Sequence, residues 1–229
     1  MHQQLLGTIE VVVAPKRLFT RLRVTRVWFM AFVISSMLGM TGSFLLQPTS
    51  RHLAVSVSTI GSRNGQDPSV KRKILVSLSK NDYDWTRFPL FLLVAVIVTA
   101  SIMHATSLLA GVESFFSRSW SFAMNVAIIS WGFRQLVWGG LVAFRGPESF
   151  LTDQDFYRAV PSLAWLTPKA MPKLALILSA IDPFTVWSTV LLALAMSQGL
   201  KLNPWLSTAV ALVFLLFPAT LVAAFGSVQ

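Results

Sequence analysis

FPLFLLVAVIVTASIMHATSLLAGV, residues 88–112, contains no Asp, Glu, Lys or Arg. At a helical rise of about 1.5 Å per residue the stretch is longer than the roughly 30 Å hydrocarbon core of a bilayer. Within that core every backbone N–H and C=O must be satisfied inside the segment, which selects a helix. Outward from it, charge-poor windows recur at 27–46, 120–144, 183–198 and 205–225. The chain therefore reads as an all-α integral membrane protein with five transmembrane helices and an N-terminal amphipathic surface helix.

Composition agrees with this reading. Of 229 residues, 54% are apolar and only 12% charged, against roughly a quarter charged in a soluble domain. The net charge is +10, but the basic residues flank apolar windows. Anionic lipid headgroups are therefore the expected partner, and nucleic acid is not. There is no cysteine, which excludes disulfides, thiolate catalysis and cysteine-ligated metals. His2, His52 and His104 lie far apart without metal-ligand spacing. No metal and no cofactor are expected.

Residues 1–26 form a basic cytoplasmic lead. Leu5, Leu6, Ile9, Val12 and Val13 fit one face of a helix that Pro15 breaks, and Phe19 and Leu22 continue an apolar side among Lys16, Arg17, Arg21, Arg23 and Arg26. A helix lying on the membrane surface fits this pattern, and a solvated basic tail is the alternative. The apolar run 9–14 is too short for a cleavable signal peptide, so the first span is expected to act as an uncleaved anchor.

In the first span, Trp28 is an interfacial anchor, and Gln47-Pro48 is expected to end the helix. Ser35, Gly39 and Ser43 lie four apart on one face, where small residues allow close helix approach. A polar connection, 47–87, follows; Leu53, Val55 and Val57 alternate with polar residues, leaving a short strand or an interfacial helix open. Glu113 and Arg118 lie in the brief loop between the second and third spans, and 145–171 is a second polar connection. Residues 172–181 form an apolar helix too short to cross alone. Asp182 followed by Pro183 then signals a fresh start, since Asp accepts free N–H groups and Pro needs no partner for its nitrogen. The basic lead argues for a cytoplasmic N-terminus and, with five spans, a C-terminus on the far side.

Two ionisable residues fall inside spans: His104 in the second and Arg134 in the third. Such groups are costly in hydrocarbon and are candidate functional positions. Arg134 reads either as a snorkelling side chain near Gly132 or as a binding or gating cation. His104 reads as a neutral, hydrogen-bonded histidine or as a proton carrier. Asp182 joins them as a candidate ligand-binding residue, because broken helices serve transporters in this way. The serines have no histidine and acid partners at a recognisable spacing, and no phosphate-binding glycine loop is present. No catalytic residues, and no enzyme, are expected.

Three stretches carry a family likeness: Val13-Ala14-Pro15-Lys16-Arg17-Leu18-Phe19-Thr20-Arg21-Leu22 before Trp28; Ala110-Gly111-Val112-Glu113-Ser114-Phe115; and Leu178-Ser179-Ala180-Ile181-Asp182-Pro183-Phe184-Thr185-Val186-Trp187-Ser188 running into Leu191-Leu192-Ala193-Leu194. Together they resemble bacterial members of the Yip (Ypt-interacting protein) domain family, over most of the chain. The segment from Asp182 to Leu194 is the most specific part. The third span, with Gly132 and Arg134, departs from the family's small-residue and proline pattern, and 47–87 matches no family motif.

The resemblance implies a five-span bundle covering 27–229, a cytoplasmic N-terminus and no enzymatic activity. Eukaryotic relatives are associated with small GTPases and vesicle trafficking, and some bacterial ones appear alongside export transporters. Two functions follow as expectations. One is a non-catalytic scaffold or accessory subunit in membrane organisation, trafficking or export, engaging another membrane protein or a second copy of itself. The other is a small transporter or lipid-handling protein using Arg134 and the broken helix at Asp182-Pro183. For a bacterial source the location is the inner membrane.

Overall fold

The computed structural model describes residues 13–16, 19, 28–63, 85–150, 155, 158–167 and 171–225. Those residues form helices and turns, with no strand among them. Helix α1 is Phe29–Arg63, α2 is Phe88–Leu109 after a single 3-10 turn, and α3 is Phe116–Arg145. Helix α4 is the short Pro172–Ser179, α5 is Pro183–Leu194 and α6 is Pro204–Phe225. Three segments are long and apolar enough to cross a membrane: Phe29–His52, Trp85–Leu109 and Phe116–Arg145. The protein is thus a membrane-integral helical one.

Helix α2 explains how such a bundle holds together. It is apolar all round, yet Phe88, Leu92, Val96, Ala100, Met103 and Ser107 alone are buried. Their spacing of three and four traces one stripe of a helix. Leu90, Phe91, Val94, Ile97, Val98 and Ile102 remain exposed around it, as a lipid-facing surface requires. The α2–α3 hairpin closes on Gly111, whose φ of +69° suits a residue without Cβ. Its N–H donates to the Leu108 carbonyl and that of Val112 to the Ser107 carbonyl, which satisfies carbonyls left open at the helix end.

Helices α1 and α3 run parallel and cross at two glycines. A Cβ on Gly42 would lie 2.2 Å from the Gln135 carbonyl oxygen, and one on Gly139 would lie 2.3 Å from that of Gly42. Just before this crossing α3 carries a π-helical turn, Ile128–Phe133. That turn packs against α1 and α5, with Gly132 beside the Ser35 backbone. A π turn holds one extra residue, so everything from Arg134 onward is rotated by about 100° relative to an unbroken α-helix.

Contacts along the axis set the height of each residue. The Phe91 ring meets that of Trp131 edge-on with centroids 5.0 Å apart, and Gly39 makes room for Phe88. Arg134, one turn beyond Trp131, therefore stands within about 2 Å of the level where α2 begins at Arg87 and Phe88. Beyond that level α1 and α3 continue together, because with 35 and 30 residues they reach about 52 and 45 Å. There Leu46, Val142, Phe150 and Ala159 make a second small core with Trp138 packed against it. We call this the cap end, and the opposite end, with the α2–α3 turn, the hairpin end.

Two expectations change, and one open alternative closes. Gln47-Pro48 does not end the first helix: it continues to Arg63 with Pro48 inside. Leu46 and Thr49, on either side of the proline, are fully buried, and packing there outweighs one lost hydrogen bond. Residues 53–63 are therefore helix, not strand, while 64–84 lie outside the described residues. Most of the lead also lies outside them, but Phe19 is buried and stacks edge-on with Phe122 at 5.7 Å. At that residue the lead packs on protein and not on lipid. Arg134 itself falls inside the candidate span Phe116–Arg145, level with the start of α2.

Candidate functional site

Asp182 caps α5 through both of its polar ends. Its Oδ1 accepts the Thr185 N–H at 2.8 Å, and its own N–H donates to Thr185 Oγ1 at 2.9 Å. This reciprocal box fixes the carboxylate, which leaves Oδ2 turned to a second partner. Arg134 Nε supplies it, donating at 2.6 Å across 48 residues of sequence. The Asp182 side chain is 2% exposed and that of Arg134 27%. A carboxylate so buried needs this compensation, and it receives it from the guanidinium and from the positive end of α5.

The guanidinium is not used up by this contact. Its Nη groups have no hydrogen-bond partner among the described residues. Arg134 thus presents a two-pronged donor edge, held in place from behind, level with the start of α2. Phosphate and carboxylate oxygens are the acceptors such an edge matches best.

The break before α5 is a built junction. Between Ser179 and Pro183 the chain turns through Ala180, Ile181 and Asp182. The Thr185 hydroxyl lies within donating distance of the carbonyls of Ala180 and Asp182, at 3.0 and 2.9 Å. Leu163 N–H donates to the Ile181 carbonyl at 3.1 Å, so the preceding connection closes over the junction.

Among the expected site residues, Arg134 and Asp182 come together and His104 stays apart. His104 is at the hairpin end, half-buried, with Nδ1 3.4 Å from Ser114 Oγ and its ring edge-on to Phe116. Ser107 and Ser114 share a short hydroxyl contact, and Ser107 also donates to the His104 carbonyl at 2.7 Å. Sequence spacing does not group these two serines with His104, because Ser114 reaches it only through the turn at Gly111. No group of three or more His, Asp or Glu suited to a metal occurs among the described residues.

The small-residue face of α1 is occupied from within. Ser35 and Ser43 are buried, Ser43 accepting the Gln135 side-chain amide at 3.1 Å, and Gly39 lies under the Phe88 ring. The closest approach falls on Gly42 and Gly139, which the four-residue spacing of Ser35, Gly39 and Ser43 does not include. Any partner protein must therefore use another surface. No protein-family model matches the chain, and neither a curated protein nor a solved structure is significantly similar to it.

Proposed function

We propose that the protein is a five-span membrane protein of the Yip type, with its N-terminus in the cytoplasm, that catalyses no reaction. It serves as a scaffold or accessory subunit that holds anionic lipid headgroups against Arg134. One observation carries the reading: Arg134 is fixed by Asp182 through Nε, while its Nη groups have no partner among the described residues. Asp182 also serves the first turn of α5, so the helix's positive end offsets part of the carboxylate charge. The outer edge of the guanidinium therefore keeps cationic character toward a headgroup phosphate. Helices α5 and α6 supply the fourth and fifth crossings in this proposal, α5 running from the Arg134 level back toward Phe122.

Arg134→Lys tests the reading with little disturbance. An ammonium can still face Asp182, but it lacks the planar edge that grips phosphate. The full chain is purified in mild detergent and co-purified phosphatidylglycerol is measured by mass spectrometry, with phosphatidylcholine as reference. We expect the variant to lose about tenfold in phosphatidylglycerol retention, as for the loss of a charge-assisted hydrogen bond of about 1.5 kcal/mol. Equal retention by wild type and variant, with equal thermal stability, would refute the proposed site.

A further inference from the structure

The connection after α3 reads as polar in sequence, yet its second 3-10 turn displays apolar side chains. Leu163–Leu166 is a 3-10 turn in which Leu163 is 40%, Trp165 55% and Leu166 79% exposed. Helix α4 packs beside it and adds the exposed Leu174, with Met171 exposed just before its first residue. A water-facing loop has the opposite arrangement, with polar groups outward.

Here polar groups are turned inward, and most are paired, Arg158 Nε and Ser162 Oγ being buried without a partner among the described residues. Trp165 Nε1 donates to the Arg158 carbonyl at 2.7 Å, and Arg158 Nη2 donates to the Thr167 carbonyl at 2.7 Å. The Thr167 hydroxyl donates to the Ala164 carbonyl at 2.7 Å, and Ala164 and Thr167 are buried. The turn is thus held by its own hydrogen bonds. Its indole N–H is already satisfied, which is what an indole needs in order to lie against hydrocarbon.

Height decides what covers this face. Leu163 N–H bonds the Ile181 carbonyl, the next residue, Asp182, bonds Arg134, and Arg134 stands level with the start of α2. The exposed α2 face begins there with Leu90 and Phe91. The apolar turn therefore borders the same layer that the exposed face of α2 occupies. We propose that Leu163, Trp165 and Leu166, with Met171 and Leu174 at the start of α4, form an anchor embedded in the headgroup–acyl boundary at the cap end. The occupant is the bilayer the helices already cross, and the anchor fixes the height of the Asp182 junction in it. This goes beyond the headgroup reading of Arg134 and stands whether or not Arg134 binds a lipid.

The absence of cysteine makes the test direct. Leu166→Cys, Val94→Cys and Glu148→Cys are each spin-labelled in the full chain and reconstituted into phosphatidylcholine–phosphatidylglycerol vesicles. Val94, exposed on α2, gives the lipid reference, and Glu148, exposed beyond the end of α3, the aqueous one. Collisions with oxygen and with a water-soluble nickel chelate are compared for each label. We expect the oxygen-to-nickel ratio at Leu166 to be several-fold above that at Glu148 and close to that at Val94. A ratio matching Glu148 would overturn the proposal, placing the turn in water. Low collision rates with both reagents would overturn it too, because the turn would then be covered by protein.

Discussion

Arg134 and Asp182 show how much one side chain depends on the other. Asp182 is buried with its two oxygens committed, one to Arg134 and one to Thr185. Arg134→Leu leaves a buried carboxylate without its cation, and truncating one partner of such a pair costs about 3–5 kcal/mol. Asp182→Asn keeps an oxygen for the Thr185 N–H and removes the buried charge. We therefore expect Arg134→Leu to lower the thermal midpoint in detergent most. The double variant Arg134→Leu/Asp182→Asn should be more stable than Arg134→Leu alone, as circular dichroism melts would reveal. If the two losses simply add, the residues are not coupled. The sequence marked both residues, one as a charge inside a span and one as a helix cap. It could not mark their pairing, because 48 residues separate them and the π turn sets the direction Arg134 faces. His104 was marked by the same rule, yet its partners Ser107 and Ser114 come from local turn geometry that hydropathy does not encode.

Helices were legible where apolar length decides, and less so where packing does. The windows at 88–112 and 120–144 correspond to α2 and α3 within a few residues. The end of α1 is not legible from Pro48, which normally stops a helix, because burial of Leu46 and Thr49 holds this one through it. The small-residue pattern drew attention to Gly39, while the tight crossing rests on Gly42 and Gly139. That difference gives a sharp comparison. Gly42→Ala or Gly139→Ala puts a methyl group into the facing backbone, which cannot yield as a flexible side chain can. Overpacking of this kind costs about 1–3 kcal/mol. Gly140→Ala meets nothing within 4 Å and should be neutral or slightly stabilising, since alanine favours a helix by up to about 1 kcal/mol over glycine. Melting the three variants in the same detergent checks both halves. Equal effects at Gly139 and Gly140 would mean that the α1–α3 crossing does not limit stability.

At the scale of the molecule two cores lie one above the other. The larger joins α1, α2, α3, α5 and α6, and the smaller gathers Leu46, Val142, Phe150 and Ala159 toward the cap end. The sequence could not separate them, because α1 and α3 pass through both without a break in pattern. Helices α5 and α6 decide how the layer is crossed. Gly199, at the end of the π turn that extends α5, fits under the Phe122 ring, and Phe122 lies two turns into α3 from the hairpin end. If α5 and α6 cross fully, Lys201, exposed between them, opens on the same side of the membrane as Glu113 in the α2–α3 turn. Glu148 at the cap end opens on the other. Single cysteines at these three positions, labelled in intact sealed vesicles by a membrane-impermeant maleimide, should divide accordingly. Lys201→Cys and Glu113→Cys should react from one side, and Glu148→Cys from the opposite side. If α5 and α6 instead form a re-entrant pair that turns back within the layer, Lys201→Cys will resist labelling from both sides while the other two still react. That outcome would reduce the crossings to the three long helices and remove the five-span part of the proposal, leaving the Arg134–Asp182 junction where it stands.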